Sequence, residues 1–458
     1  AKSCIDCPER GDGMLEVLNT LLWGPGTLAL ILGTGAWLTL RTGGFPQRSL
    51  GWALTLSLGR EARRKGRGGV SPFGSLMTAL ASTVGTGNIV GVAAAMASSG
   101  PGALVWMELA AFLGLAAKFA ECMLAVKYRR VRRDGTRWGG PMAVMETRLG
   151  PAGAVFGRFY AFFALLMAFA MGAMAQSGAL ADTFSAAFTL PRWRVGLVTA
   201  ALALTILLGG IRRIAEISTV LVPVMALLYL GGGLAVILGN LRRLPEALIL
   251  MLRCAVAPEA ALGGALGIVT RREALRWGVA RSVFSNEAGL GSAAITAACA
   301  DTEDPVKQGL ISMTGVFFDT MVICTVTGLA ICCSGTLGTA DGAGRPLTGA
   351  ALTLRAFETV LGPLAPWLIG AALGLFAFTS VLGCAVQAET TASYLLGPEA
   401  VRPCRVLYGL AVFAGAVIPM ATVLQLADLA NALMAFPNLV CLLLLSGEIA
   451  GECGRKER

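Results

Sequence analysis

No histidine occurs anywhere in the 458 residues, so the side chain most often used to shuttle protons near neutral pH is missing. Charge is scarce as well. Asp, Glu, Lys and Arg make up 14% of the chain, where soluble domains carry about 25%. Hydrophobic residues reach 55%, and their runs repeatedly attain the roughly 20 residues that cross a bilayer. These runs are continuous and not alternating, which excludes a transmembrane barrel. The fold class is therefore an all-α polytopic membrane protein. No cluster of metal ligands, nucleophile–base pair or phosphate-binding loop is visible, and no polar region is long enough for a signalling domain. Those absences argue against a membrane enzyme and against a transporter-like sensor. The first 13 residues are polar, so no cleavable signal peptide is expected.

Net charge is +10, which in a soluble chain would suggest a nucleic-acid partner. Here the basic residues gather in short stretches beside apolar segments, 41–67 and 127–137. That is the positive-inside pattern of membrane topology, and it implies no nucleic acid. Of the 12 cysteines, most (Cys122, Cys299, Cys324, Cys332 and Cys441 among them) lie inside apolar segments and read as small hydrophobes. Cys4 and Cys7 form the one close pair, and no second pair completes a zinc site.

Eleven membrane segments can be read, at about 15–40, 73–97, 103–127, 155–188, 195–210, 214–239, 276–299, 307–333, 363–396, 404–420 and 424–449. An amphipathic stretch, 45–58, and the basic run 60–67 separate the first two. The basic loop belongs in the cytoplasm, which places the acidic N-terminus (Asp6, Glu9, Asp12, Glu16) outside and the 451–458 tail inside. Residues 241–276 disobey: they should be external yet carry Arg242, Arg243, Arg253, Arg271, Arg272 and Arg276. Long segments are less bound by the charge rule, and 247–262 is a candidate interfacial helix. The chain then divides into 1–69 (tail, first helix and basic loop), 70–240 (first repeat), 241–275 (external connection), 276–450 (second repeat) and 451–458 (cytoplasmic tail). The expected site is the cell (inner) membrane, crossed many times.

Two segments are broken by glycine: Ala81-Ser-Thr-Val-Gly-Thr-Gly-Asn-Ile-Val-Gly91 and Arg281-Ser-Val-Phe-Ser-Asn-Glu-Ala-Gly-Leu-Gly-Ser292. Irregular backbone at membrane depth persists only where protein buries it or it lines a water-filled cavity. A pair of such breaks at matching places in two halves points to a transporter's binding site. With the first segment set aside, five lie at 73–239 and five at 276–449, and each set opens on a break. An odd number of helices per half inverts the second half, so a 5+5 inverted repeat with discontinuous first and sixth core helices is expected. Unwinding at Val84–Asn88 frees amide donors at a helix N-terminus, which suits a carboxylate. It also frees carbonyls at Ala81–Val84 for a hard cation such as sodium, and Asn88 can add a side-chain oxygen. Small residues such as Gly87 and Gly91 also serve plain helix packing. Glu287 must be paired, hydrated or protonated, because a charge at the bilayer centre costs about 2.5–3.5 kcal/mol. Its expected role is a structural carboxylate bonding the unwound backbone, with cation or proton coupling as the other reading. Asp319, Glu389, Glu121 and Asp182 raise the same question, or simply reach the interface.

At these residues the chain resembles the alanine or glycine:cation symporter family, the sodium:alanine symporters. The resemblance runs through Thr78–Gly91, Gly100-Pro-Gly-Ala-Leu-Val-Trp106, Lys118–Arg129, Gly139-Gly-Pro-Met142, Phe284–Ala293, Ala300–Gly309 and Gly315-Val-Phe-Phe-Asp-Thr320. It implies a leucine-transporter-like fold and import of a small neutral amino acid driven by sodium, with proton coupling or amino acid exchange as the alternative. No cofactor is implied beyond sodium as the coupling ion, and the oligomeric state stays open. By the same resemblance the substrate carboxylate meets the amides near Thr86 and Gly87, and its ammonium the carbonyls near Thr83, Phe284 and Ser285. Gln176 matches a pocket glutamine. The second sodium site of such folds joins the carbonyls of Ala81 and Val84 to Thr379 and Ser380. One departure bears on substrate size: Cys384 stands where a pocket tryptophan is common, with Ala388 one turn further on the same face. Both are expected to line the substrate pocket and to make room for side chains larger than alanine's. The residues after Met142, Ala143 and Val144, also depart from the family's tyrosine-like pattern.

Overall fold

The computed structural model describes residues 17–19, 21–64, 70–131, 135–256, 259–260, 269–342 and 344–457. Cys4, Cys7 and the acidic residues Asp6, Glu9, Asp12 and Glu16 lie outside them. The described residues are helical apart from turns and two-residue strand pairs such as Arg130–Val131 with Arg137–Trp138. In chain order the main helices are α1 (Pro25–Arg41), then, after the short helices Phe45–Arg48 and Leu50–Leu58, α2 (Pro72–Thr83), α3 (Gly87–Ser99) and α4 (Gly102–Lys127). The short helix Pro141–Arg148 follows, then α5 (150–188), α6 (Arg192–Leu207), α7 (Gly210–Gly239) and α8 (Leu244–Val256). The second part holds α9 (Arg271–Asn286), α10 (Ser292–Ala298), α11 (Pro305–Ser334) and α12 (Gly349–Leu361). It closes with α13 (Ala365–Leu396), α14 (Val401–Val417), α15 (Met420–Leu444) and α16 (Ser446–Glu457).

Among the described residues, seven helices are long and apolar enough to cross a membrane, or eight if α2 and α3 count as one bent span. Exposed Leu, Val, Phe and Trp are spread over the outer faces of α5, α6, α7 and α14, as a lipid-facing surface requires. The centre is α4, which packs most heavily on α11 and α9. Beside it, α13 lies between α2, α7 and α5.

Both glycine-rich segments are breaks. Helix α2 begins at Ser71, whose hydroxyl accepts from the Gly74 amide at 3.0 Å, with Pro72 at the first helical position. That is a standard N-cap followed by the residue with no amide to satisfy. It ends at Val84, which turns extended, and α3 leaves at 52° to it. Helix α9 stops at Asn286; Glu287, Gly289 and Gly291 follow with φ of 53°, 85° and 81°. Left-handed backbone suits glycine and strains glutamate, so Glu287 is held there by its surroundings.

Two elements were not expected from the sequence as membrane segments. At 13 residues α12 is too short to span, but it covers the first break: the Thr353 hydroxyl donates to the Ile89 carbonyl at 3.1 Å. Helix α8 coincides with the start of the candidate interfacial helix. Where α13 crosses α2, a Cβ on Gly383 would stand 2.5 Å from the Ser82 nitrogen. No side chain fits in that gap. Gly383→Val should therefore force the helices apart beside the first break and destabilise the protein by about 1–3 kcal/mol, read as a lowered melting temperature; an unchanged melt would mean that the two backbones are not in contact.

Candidate functional site

The described residues include three wide π-type turns, Gly87–Gly91 in α3, Ala168–Ala175 in α5 and Phe317–Cys324 in α11, and the first and third pack together at the breaks. Such turns free backbone groups and concentrate at functional places. The first and third carry the residues that meet between the breaks. Asn88 donates from Nδ2 to Asp319 Oδ1 at 2.8 Å and to Ser285 Oγ at 3.1 Å. Ser285 donates to Asp319 Oδ2 at 2.5 Å, and Thr320 Oγ1 lies 3.0 Å from the same oxygen. Asn286 reaches Thr320 at 3.1 Å, and Cys324 Sγ sits 3.4 Å from both Asn88 and Ser285. Asp319 has no exposed surface. A carboxylate so buried is costly unless a positive charge shares the space, and no lysine or arginine forms an ion pair with it among the described residues. Asp319 brings a carboxylate and Ser285 and Thr320 bring hydroxyl oxygens, ligand types that a hard cation takes, while Asn88 turns its amide nitrogen and not its oxygen toward the carboxylate.

A second group of oxygens lies on the other side of the first break. The Gly85 amide, which a continuous helix would give to Ala81, donates instead to Asn88 Oδ1 at 3.0 Å. The Ala81 carbonyl is thereby released. Ser380 Oγ is buried without a hydrogen-bond partner and would be 2.9 Å from a Cβ on Gly85. Thr379 is turned elsewhere, within reach of the Leu375 and Phe376 carbonyls and the Met225 sulfur. Of the two hydroxyls expected for the second cation site, the structure brings Ser380 to the break and leaves Thr379 against α7. Thr83, Thr86 and Gly87 are half-buried around the unwound turn, and Gln176 Oε1 lies 3.4 Å from the Thr86 hydroxyl.

Phe284 lines a cavity on the far side of Ser285. Cys384 and Ala388 belong to an apolar cluster with Ala168, Ala173, Tyr408 and Val412. A Cβ on Gly172 would be 2.2 Å from the Cys384 Cβ. An indole at position 384 would thus meet α5 before it met a substrate, so Cys384→Trp in this chain changes helix packing along with any pocket wall.

The carboxylate that bonds the unwound backbone of the second break is Glu121, not Glu287. Its Oε2 accepts from the amides of Gly289 (3.1 Å) and Gly291 (3.0 Å) and from Asn438 Nδ2 (3.1 Å). Lys118 stands 3.6 Å away with both side chains buried. Glu287 accepts instead from the Ser292 hydroxyl. Glu121 sits in mid-helix with no exposure to the interface; its partners are about 170 and 320 residues away, which no local pattern reveals. Asp182 and Glu389 are nearer the expected interfacial behaviour, paired with Arg192 at 3.4 Å and Arg405 at 2.8 Å.

On the 127–137 side the two breaks are clamped together. The Asp301 amide donates to the Val70 carbonyl at 2.8 Å, and Arg129 donates to the Ala300 carbonyl at 2.6 Å. Arg137 pairs with Asp301, and Ser75 bonds the Thr296 carbonyl at 2.9 Å. Around them Lys127 joins Glu448 at 2.6 Å. Burial alone would push the Glu448 carboxyl up, but hydrogen bonds from Lys127 and Tyr128 hold it below its ordinary value. The stabilisation from a depressed carboxyl pKa is present above the ordinary value and is lost as pH falls below it, so this clasp is intact at neutral pH.

The sequence profile of the sodium:alanine symporter family matches residues 9–454. The chain belongs to that family. The "Sodium/alanine symporter AgcS" of Methanococcus maripaludis is 40% identical over 96% of this chain and 96% of its own length. An uncharacterized transporter of Haemophilus influenzae is 42% identical over 94% and 93%, and the "Probable sodium/glutamine symporter GlnT" of Bacillus subtilis 36% over 94% and 88%. A member of the sodium:alanine symporters is a membrane transporter and not an enzyme, and family and relatives together support sodium-coupled amino acid symport. Asp319, Thr320 and Asn286, the members of the buried polar cluster not assigned to a site from sequence, lie within family motifs already quoted; the signal present was an acidic residue inside an apolar run.

Proposed function

We propose that this chain imports a neutral amino acid of the alanine and glycine class together with sodium, by alternating access around the two breaks. The observation that carries the reading is the buried Asn88–Ser285–Asp319 cluster, a carboxylate without an ion-pair partner ringed by hydroxyls and the Asn88 amide where the two broken helices meet α11. Sodium occupies it as a transported ion, and Ser380 with the Ala81 and Val84 carbonyls offers a second position. The substrate carboxylate takes the amides at Thr86 and Gly87, and Gln176 borders the same space. Phe284, Thr83 and the Ser285 carbonyl face the ammonium. Each sodium entering gains about 2.3 kcal/mol per 100 mV of membrane potential, enough to drive an amino acid uphill if the carrier closes only when filled.

The 5+5 inverted arrangement of 70–240 and 276–450 is supported by how the broken helices pair. The start of α2 meets the end of α10 through Val70–Ala300 and Ser75–Thr296. At the other end, the first half of the second broken helix passes α3, with Arg281 Cδ 3.9 Å from a Cβ on Gly91. Two broken helices that run antiparallel about a shared centre are what inversion produces. The N-terminus is outside and the clamp at 129–137 and 300–303 is the cytoplasmic gate, closed here.

Equilibrium binding tests the reading. Labelled alanine should bind the purified protein in nanodiscs only with sodium present; sodium-independent binding would sink the coupling and favour exchange or protons. The gate makes its own prediction. Arg129→Ala with Arg137→Ala should expose Cys299, buried behind the clamp, to a maleimide at a rate well above the wild-type one. An unchanged rate would mean that this clamp is not the barrier.

A further inference from the structure

A cavity of about 240 Å³ lies on the side of the breaks opposite to the 127–137 clamp, lined by Trp23, Trp277, Arg276, Arg281, Phe284 and Asp428, with Asn19 and Ala280. Phe284 forms its floor, one residue from Ser285 in the cation cluster. The Arg281 guanidinium is held between two rings, 5.4 Å from Trp277 and 5.5 Å from Phe284. Rings stacked on a guanidinium fix its plane and leave its edge donors free. Asp428 lines the same cavity and carries the opposite charge. Among the described residues neither the Asp428 carboxylate nor the Arg281 guanidinium has a hydrogen bond or a close ion pair. The Asp428 backbone carbonyl accepts from Trp23 Nε1 at 3.0 Å, which pins that turn of α15 to the helix start at α1.

Opposite charges in a half-buried cavity normally close on each other. Here they line one cavity without pairing, with the guanidinium stacked on Trp277 and Phe284 and the Asp428 backbone bonded by Trp23. A ligand with one negative and one positive group, a few ångströms apart, would satisfy both. We propose that this cavity is a vestibular site for a zwitterionic α-amino acid, occupied before the substrate passes Phe284. The carboxylate bonds Arg281, with Arg276 at the mouth adding positive charge. The ammonium bonds Asp428, and the side chain lies against Trp23 and Trp277. A simple anion would leave Asp428 unanswered, and a simple cation would leave Arg281 so. The proposal rests on the amino acid reading above and adds a second, outer site to it.

Ala280 faces the cavity and supplies the probe. Ala280→Cys protein in nanodiscs is labelled with a charged methanethiosulfonate, and label at position 280 is quantified by peptide mass spectrometry. Alanine should slow that labelling, whereas propionate and ethylamine, each with half of its charge pattern, should not at equal concentration. In Ala280→Cys carrying Asp428→Asn or Arg281→Gln, the protecting concentration of alanine should rise at least about tenfold, the loss expected with one charge-assisted contact. Protection should persist in Ala280→Cys carrying Asp319→Asn, where the inner cation site is disabled. Protection by propionate as strong as by alanine, or insensitivity to both charge-removing changes, would overturn the proposal. So would loss of protection with Asp319→Asn, which would trace the effect to the inner site. A failure of the amino acid reading itself would appear elsewhere, as absence of sodium-dependent alanine binding in the native chain.

Discussion

Asp319→Asn should abolish sodium-driven uptake while leaving the protein folded. The substitution keeps the size of the side chain and most of its hydrogen bonds with Asn88, Ser285 and Thr320, but removes the one negative charge in the cage. Breaking a buried charge pair costs about 3–5 kcal/mol, so sodium affinity should fall by roughly 100-fold or more. The empty protein should behave in the opposite way. Without sodium, an unpaired buried carboxylate is a burden, and its amide replacement should melt at the same temperature or higher. The rise in melting temperature that sodium confers on the native chain should vanish in the variant. An Asp319→Asn protein that still takes up alanine with the native sodium dependence would remove the cluster from the coupling mechanism.

Glu121→Ala should do the reverse and damage the fold first. Three buried donors, the Gly289 and Gly291 amides and Asn438 Nδ2, converge on one Glu121 oxygen. Each would be left without an acceptor, at about 1–3 kcal/mol apiece, and Lys118 would become an uncompensated buried charge. The sum is not additive, but it is a large share of the 5–15 kcal/mol typical of a whole protein. The expected result is little folded protein, with the milder Glu121→Gln recovering part of the stability because its amide oxygen still accepts. If Glu121→Ala melted like the native chain, the unwound segment at 287–291 would have to be held by something else. Loss of sodium binding in Glu121→Gln without loss of stability would move Glu121 from positioning the backbone to holding the ion.

The contrast between these two carboxylates shows what the sequence could and could not disclose. Glycine spacing announced both breaks, because Gly85, Gly87, Gly289 and Gly291 interrupt otherwise apolar helices at places where no side chain compels it. The capping Ser71-Pro72 and the turn glycines set the helix ends for similarly local reasons. Glu287 drew attention because it stands inside a break, and its neighbour in sequence, Ser292, is the partner it found. Glu121 stood out only as an acid in an apolar run, because all its hydrogen-bond donors come from distant parts of the chain. Asp319 was visible as an acid in an apolar run, yet its meaning depends on Asn88, 231 residues earlier. Local chemistry is written in neighbouring residues; the cage, the clamp and the cover by α12 are tertiary.

Substrate size falls between those cases. Cys384 and Ala388 differ from the family pattern at positions expected to line the pocket, but they are packed against Gly172 and Tyr408. A wider cargo range remains a proposal that uptake of larger amino acids can decide, and it is better probed by varying substrate than by restoring a tryptophan against α5.

The central claim is that sodium and a neutral amino acid move together. Purified protein should be reconstituted in proteoliposomes and presented with labelled alanine under an inward sodium gradient, under equal sodium on both sides, and under a proton gradient alone. Accumulation above equilibrium with the sodium gradient only, collapsing when a sodium ionophore is added, is the result predicted. Accumulation that follows the proton gradient, or exchange that needs amino acid inside and ignores sodium, would contradict it.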